Sequence, residues 1–253
     1  MAGDGAPFVL FGPAHLAALA VTVAAAVLLA RMAGREPASA RIRVGLAVFL
    51  AVTVAVWLIR EAATGRLSVW DVLPLHLCDF LILVAVFALL TLRRLAAELL
   101  YFWSAGTLLA MVTPDLGYGF PHPSFFVYFA LHAAVVVAAA VVVLGLDRRP
   151  RAGAAWRAFG MTLAYAAVVG VVNQALGTNF LYLCRRPIEP TLLDAFGPWP
   201  VYLVTVALFA LGLFHLMAWP FRRGVGVTAR PMSASEAALP SPASRGEPGR
   251  GGR

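Results

Sequence analysis

The sequence predicts an all-α polytopic membrane protein, a bundle of about seven transmembrane helices, and three observations carry that reading. Hydrophobic residues make up 61% of the 253 positions and charged residues only 13%, with a mean hydropathy of +0.84, far outside the range of soluble domains. Apolar runs that can cross a hydrocarbon core of ~30 Å, which takes about 20 helical residues, recur along the chain. All twenty basic residues are arginine, and they gather between alternate runs.

The runs fall at 14–30, 43–59, 73–92, 96–113, 124–146, 156–176 and 199–219. Each is expected to be helical, because lipid offers backbone N–H and C=O groups no other partner. The first has no basic residue before it and does not read as a cleavable signal peptide. The second lies between Arg43 and Arg60, and the third opens on LPLHLCDF, residues 73–80. The fourth carries the weakest signal, with Glu98 near its start. The fifth follows the prolines of FPHPS, the sixth runs out in Asn173, Gln174 and Gly177, and the seventh follows PWP. No repeat of useful strength is visible, so an inverted-repeat transporter gains no support.

Arginine placement sets the orientation. Arg31, Arg35, Arg41 and Arg43 lie between the first two runs, Arg93 and Arg94 between the third and fourth, Arg148, Arg149, Arg151 and Arg157 between the fifth and sixth, and Arg222 and Arg223 after the seventh. The other loops hold few, partly offset by Glu61, Asp71, Glu189 and Asp194. The positive-inside rule then places the N-terminus outside and the C-terminus in the cytoplasm. A net charge of +8 does not mark a nucleic-acid partner, since the arginines stand at helix ends and not in one patch with interleaved aromatics. They read as topology determinants and headgroup contacts. Residues 1–223 form the membrane domain by this reading. The segment 224–253, rich in Pro, Gly, Ser and Ala, reads as a disordered cytoplasmic tail.

Polar residues gather toward the outer side. His76, Cys78 and Asp79 stand near the outer end of the third run, with Cys78 within roughly 10 Å of the interface, and His132 lies roughly 12 Å into the fifth. Thr113 and Asp115 close the fourth run outside, and Asn173 and Asn179 the sixth. Ionisable groups cost at least ~2.5 kcal/mol each within a membrane helix, so one-sided clustering predicts a site. On a regular helix His76 and Asp79 face the same way and Cys78 points some 160° from His76. A base for Cys78 then has to come from another helix, and His132 is at matching depth; a thiol beside an imidazole yields the thiolate that nucleophilic catalysis needs. The plain readings stand beside this one: a buried cysteine packs as a small hydrophobe, and a lone membrane histidine commonly bonds between helices. His15, His122 and His215 read as structural. Cys184 sits in an outer loop, and Cys78 should lie below it, which leaves a disulfide between them as the lesser expectation.

The motifs LPLHLCD, TPDLGYGFPHPSFFVYFALH, N-x5-TNFLYL and PWPVYL, in that order over about residues 8–220, resemble the transmembrane protein 164 family, including its bacterial YwaF-like integral membrane proteins. The resemblance implies acyl transfer between phospholipids through a cysteine, as associated with the family's eukaryotic branch, or hydrolysis of lipid esters, as in more distant seven-helix relatives. It makes Cys78 the acyl-accepting nucleophile and His132 its base, with His76, Asp79, Asp115 and Asn179 shaping the pocket and His76 or Asn179 donating to an oxyanion. Thr113 and Asn173 stand with them as supporting residues. One departure is Phe180 where the family leads one to expect tyrosine, so this ring carries no hydrogen-bonding role.

The expected substrate is a membrane phospholipid, with no cofactor, no metal and no nucleic acid, in the cytoplasmic membrane of a bacterium; the sequence predicts no oligomeric state. Two other classes stay open. One is a metal-dependent seven-helix lipid hydrolase with His76, Asp79, Asp115 and His132 as ligands, ranked lower because no His-x3-His pair is present. The other is a non-enzymatic protein that binds or transports a lipid or small molecule.

Overall fold

The computed structural model describes residues 6–68, 72–186 and 192–222. The expected tail lies outside them. The described chain forms α1 (Pro13–Ala33), α2 (Ala38–Ala63), α3 (Leu77–Thr91), α4 (Arg94–Val112), α5 (Pro123–Ala140), α6 (Ala154–Leu176) and α7 (Val201–Arg222). A π-helical turn, Val141–Gly145, prolongs α5. Among the described residues six helices, counting α5 with this turn, are long and apolar enough to cross a membrane, and α3 is a shorter apolar helix of 15 residues. Residues such as Val21, Ile59, Val171 and Leu216 are more than half exposed, a cost in water but none in lipid. The protein is a multi-pass membrane protein.

Contacts between helix ends set their directions. His15 of α1 meets Met111 late in α4, Arg43 early in α2 meets Leu89 late in α3, and Ala30 late in α1 meets Gly145 at the end of α5. Glu98 early in α4 meets Arg157 early in α6, and Tyr101 early in α4 meets Met217 late in α7. Hence α1, α3, α5 and α7 start at one end, called here the site end, and finish at the arginine end. In α4 and α5 61% and 50% of the spanning window is buried, against 11–17% in α1, α2, α6 and α7. The centre of the bundle is therefore α4 and α5, with α3 against them through Leu81, Ala85, Ala88 and Leu89. Small residues allow this closeness. A Cβ on Gly145 would stand 2.6 Å from the Ala30 carbonyl oxygen, so the crossing of α1 with the π turn requires glycine.

The main departure from expectation is at the start of α3. A helix from residue 73 was expected, but Pro74 lacks an N–H and disfavours helical geometry before it. His76 is the extended N-cap residue (φ −67°, ψ 146°), and helix begins at Leu77. The i, i+3 relation between His76 and Asp79 and the 160° between His76 and Cys78, both drawn for a regular helix, do not hold. Non-helical backbone survives at this depth because protein satisfies it: the Leu75 carbonyl accepts from the Tyr165 hydroxyl at 3.1 Å, and the His76 carbonyl accepts from the Asp79 and Phe80 amides. Phe80 stacks on Tyr165 with ring centroids 4.6 Å apart, fastening the first turn of α3 to α6.

Glu98, the residue that weakened the fourth run, is accommodated inside α4 by neutralisation. Its carboxylate is 2% exposed and accepts from Arg151 at 2.9 Å and Arg157 at 2.9 Å, with a further bond from the Arg151 amide. This cluster fixes the turn between α5 and α6 onto α4. Glu98→Gln should lower unfolding free energy by about 1–3 kcal/mol, at the low end because both guanidinium groups, 44% and 39% exposed, can recover water. A lowered thermal midpoint in detergent is the measurement.

Candidate functional site

Cys78 and Asp79 occupy the second and third positions of α3, where an acidic side chain suits the unpaired amides of a helix start. The Cys78 thiol donates to Asp79 Oδ1 at 3.8 Å. Across from them, on α5, His132 is fixed by the turn that precedes it: Nδ1 donates to the Tyr128 carbonyl at 2.8 Å, and the ring stacks on Tyr128 at 4.0 Å and 22°. Tyr128 is itself anchored, its hydroxyl donating to the Ala110 carbonyl of α4 at 2.7 Å. A carbonyl can only accept, so Nδ1 carries the hydrogen and a neutral ring keeps the Nε2 lone pair for other use.

These side chains share one space. Cys78, Asp79, Thr107, His132 and the apolar Ile82, Leu131 and Val135 line a cavity of about 30 Å³, enough for water. Asp79, Ile82, Leu131 and His132 also line a larger fissure of about 510 Å³, whose other walls include Val54, Trp57 and Leu58 of α2, Leu83 of α3 and Val127 of α5. The polar cavity thus adjoins an apolar opening between α2, α3 and α5.

The remaining expected residues lie around this centre. His76 lies outside the cavity, its ring 5.2 Å from Phe180, edge on, and 5.6 Å from Tyr182. Asn173 is a buried hub: Oδ1 accepts from the Phe180 amide at 2.8 Å and the Thr178 hydroxyl at 2.9 Å, and Nδ2 donates to the Phe180 carbonyl at 2.9 Å. Asn179 closes the next turn, accepting from the Cys184 and Arg185 amides and donating to the Arg185 carbonyl. Asn179 thus lies in this loop and not on the wall of the small cavity. Thr113 bonds back to the Leu109 carbonyl at 3.1 Å and ends α4. Asp115 is exposed. Burial, then Asp115 and Cys78, raise the Tyr182 phenol above its ordinary value, so it stays a neutral hydroxyl. Cys78 and Cys184 are both free thiols.

Among the described residues no three of His, Cys, Asp and Glu come together as a metal site, and His76, one of the conceivable ligands, lies against aromatic rings instead. The other histidines bond to backbone. His15 accepts from the Phe11 amide at 2.9 Å and reaches the Met111 carbonyl at 2.8 Å, joining α1 to α4. His122 caps α5 by accepting from the Ser124 amide, and His215 bonds to Leu211 one turn back.

Two features escaped the sequence reading. Thr107 is on the cavity wall, 4% exposed, and one threonine in an apolar helix gives no signal of its own. The PWPVYL segment fastens the loop after α6: Trp199 donates to the Leu183 carbonyl at 3.0 Å, and the Tyr202 hydroxyl to the Tyr182 carbonyl. Asn173→Ala should therefore destabilise more than a surface change. It strands the Phe180 amide and the Thr178 hydroxyl and takes one of two donors from the Phe180 carbonyl, costing about 2–4 kcal/mol, read as a lower unfolding midpoint together with faster amide exchange at Phe180.

A family model matches residues 10–218, nearly the whole described bundle, and it is that of the TMEM164 family. The chain belongs to the TMEM164 family. The match ends just before the C-terminal segment, so the TMEM164 region coincides with the helices built above. A Treponema pallidum (strain Nichols) protein, described as an uncharacterized protein, is 31% identical over 227 residues, covering 87% of this chain and 92% of that protein. No solved structure matches the chain.

Proposed function

We propose that this TMEM164-family protein is a lipid acyltransferase or lipid-ester hydrolase that works through Cys78 and His132 at the outer face of a bacterial cytoplasmic membrane. The observation that supports it best is the shared cavity: a thiol at the start of one helix and an imidazole on another line the same small space, next to an apolar fissure suited to an acyl chain. The arginine bias of the opposite end supports an outward-facing site, with the N-terminus on the same side.

The chemistry is two acyl transfers. A phospholipid acyl chain lies in the fissure with its ester carbonyl at the cavity. His132 Nε2 takes the Cys78 proton as sulfur attacks the carbonyl carbon. The ester C–O bond breaks, and the imidazolium returns the proton to the leaving lysolipid oxygen. Asp79 accepts the thiol hydrogen bond in the resting state; beside it a thiolate is favourable only with the imidazolium present, which ties ionisation of sulfur to proton transfer. A lysolipid or water then removes the acyl group from the thioester.

The test is to incubate the purified protein with phospholipid carrying a labelled acyl chain. Label on the protein that hydroxylamine removes is the expected result. Folded protein that never acquires label, while the lipid pool is accessible to a control lipase, sinks the reading and favours a binding role.

A further inference from the structure

Threonine hydroxyls in apolar helices have a default partner, the carbonyl one turn back. Thr22, Thr53, Thr91, Thr162 and Thr205 all follow it, with bonds to the fourth residue before. Thr107 does not: among the described residues its hydroxyl makes no hydrogen bond to protein, although the side chain is 4% exposed and the helix continues on both sides of it. A hydroxyl withdrawn from bulk water without a partner costs on the order of 1–3 kcal/mol, and among the described residues only Arg148 Nε is sealed off in that state, so the Thr107 oxygen is open to a water-sized space. Thr107 lines the cavity with His132, whose Nδ1 is engaged and whose Nε2 is available. The cavity has about 30 Å³, sufficient for a water, and a bound water needs two or more polar partners.

We propose that Thr107 and His132 together hold a water in this cavity, and that this water is the acyl acceptor when no lysolipid is present. The role as acceptor rests on the reading of Cys78 as nucleophile. In the deacylation step His132 Nε2 removes a proton from the water as its oxygen attacks the thioester carbonyl carbon. The C–S bond then breaks, a fatty acid leaves, and the imidazolium reprotonates sulfur. Thr107 is a positioning residue: it aims the water and takes no proton. The residue thereby sets how much acyl-enzyme is lost to hydrolysis before a lysolipid arrives.

Thr107→Val keeps the shape and removes the hydroxyl, whereas Thr107→Ser keeps the hydroxyl. The full chain, labelled at its histidine ring nitrogens and placed in phospholipid nanodiscs, is read first by magnetisation transfer from water to the His132 ring, assigned by its loss in His132→Gln. Transfer is expected in wild type and Thr107→Ser and absent in Thr107→Val; no transfer in wild type overturns the proposal whatever the activity. The same proteins are then loaded with labelled acyl chain, and release of free fatty acid is followed without acceptor. Thr107→Val should release fatty acid about 10- to 100-fold more slowly per loaded molecule, with Thr107→Ser near wild type. Equal release from Thr107→Val and wild type overturns the acceptor role. Wild type that never loads fails the Cys78 reading itself and the acceptor role with it, while the water-to-histidine signal separately decides whether the water is held.

Discussion

Cys78→Ser should abolish acyl label on the protein while leaving the bundle folded. Serine keeps the size of the side chain and can still donate to Asp79, so the contact at the start of α3 persists. What is lost is an ionisable thiol, and the thiolate is the nucleophile in cysteine chemistry; a serine here has the same neighbours and a far less acidic hydroxyl. Cys184, the other thiol, is exposed in the loop after α6, and Cys184→Ser should load as wild type does. The measurement is hydroxylamine-labile label on the two variants side by side, with thermal midpoints as the folding control. Label persisting in Cys78→Ser would place the acyl group elsewhere. Undiminished turnover of lipid in that variant would mean that the thiol is packing only.

His132→Gln should slow loading by about 10²- to 10⁴-fold, the usual contribution of a positioned general base. Glutamine fills comparable space and can keep a bond to the Tyr128 carbonyl, but it cannot carry a proton between sulfur and a leaving oxygen. The sign of the pH response separates a base from a packing residue. A base must be neutral to take the thiol proton, so wild-type loading should fall as pH drops and the ring is protonated, while the variant lacks that fall and its deficit shrinks toward low pH. A purely structural histidine would leave a deficit independent of pH. Single-turnover loading at a series of pH values is the measurement.

The bundle was legible because spanning a membrane is written in composition. Six of the seven expected runs coincide with helices long and apolar enough to cross, and arginine marks the turns at one end. Conformation within the membrane is written more faintly. LPLHLCDF opens an apolar run, so depth was evident, but the break came from one residue, Pro74, whose effect depends on Tyr165 of a distant helix holding the freed carbonyl of Leu75. Cys78, Asp79 and His132 stood out because ionisable groups are rare there. Thr107 did not, since a threonine that bonds to its own helix and one that faces a cavity look alike in sequence. Asn173 and Asn179 were noticed for their polarity, yet their work is architectural: they shape the loop that brings Phe180 against His76. Polarity near a site predicts proximity, and the hydrogen bonds already taken show which of these groups hold the loop in place.

The late start of α3 also makes that helix a ruler. Fifteen residues at ~1.5 Å each set Cys78 about 20 Å above the Leu92 turn at the arginine end,, and so at a fixed height in the bilayer. One residue inserted along the helix would lift the sulfur by ~1.5 Å and swing it about 100° away from His132. Spacing between the Pro74 break and the Arg93–Arg94 turn is therefore as much a part of the site as the thiol: composition carries the helix, and its length carries the aim.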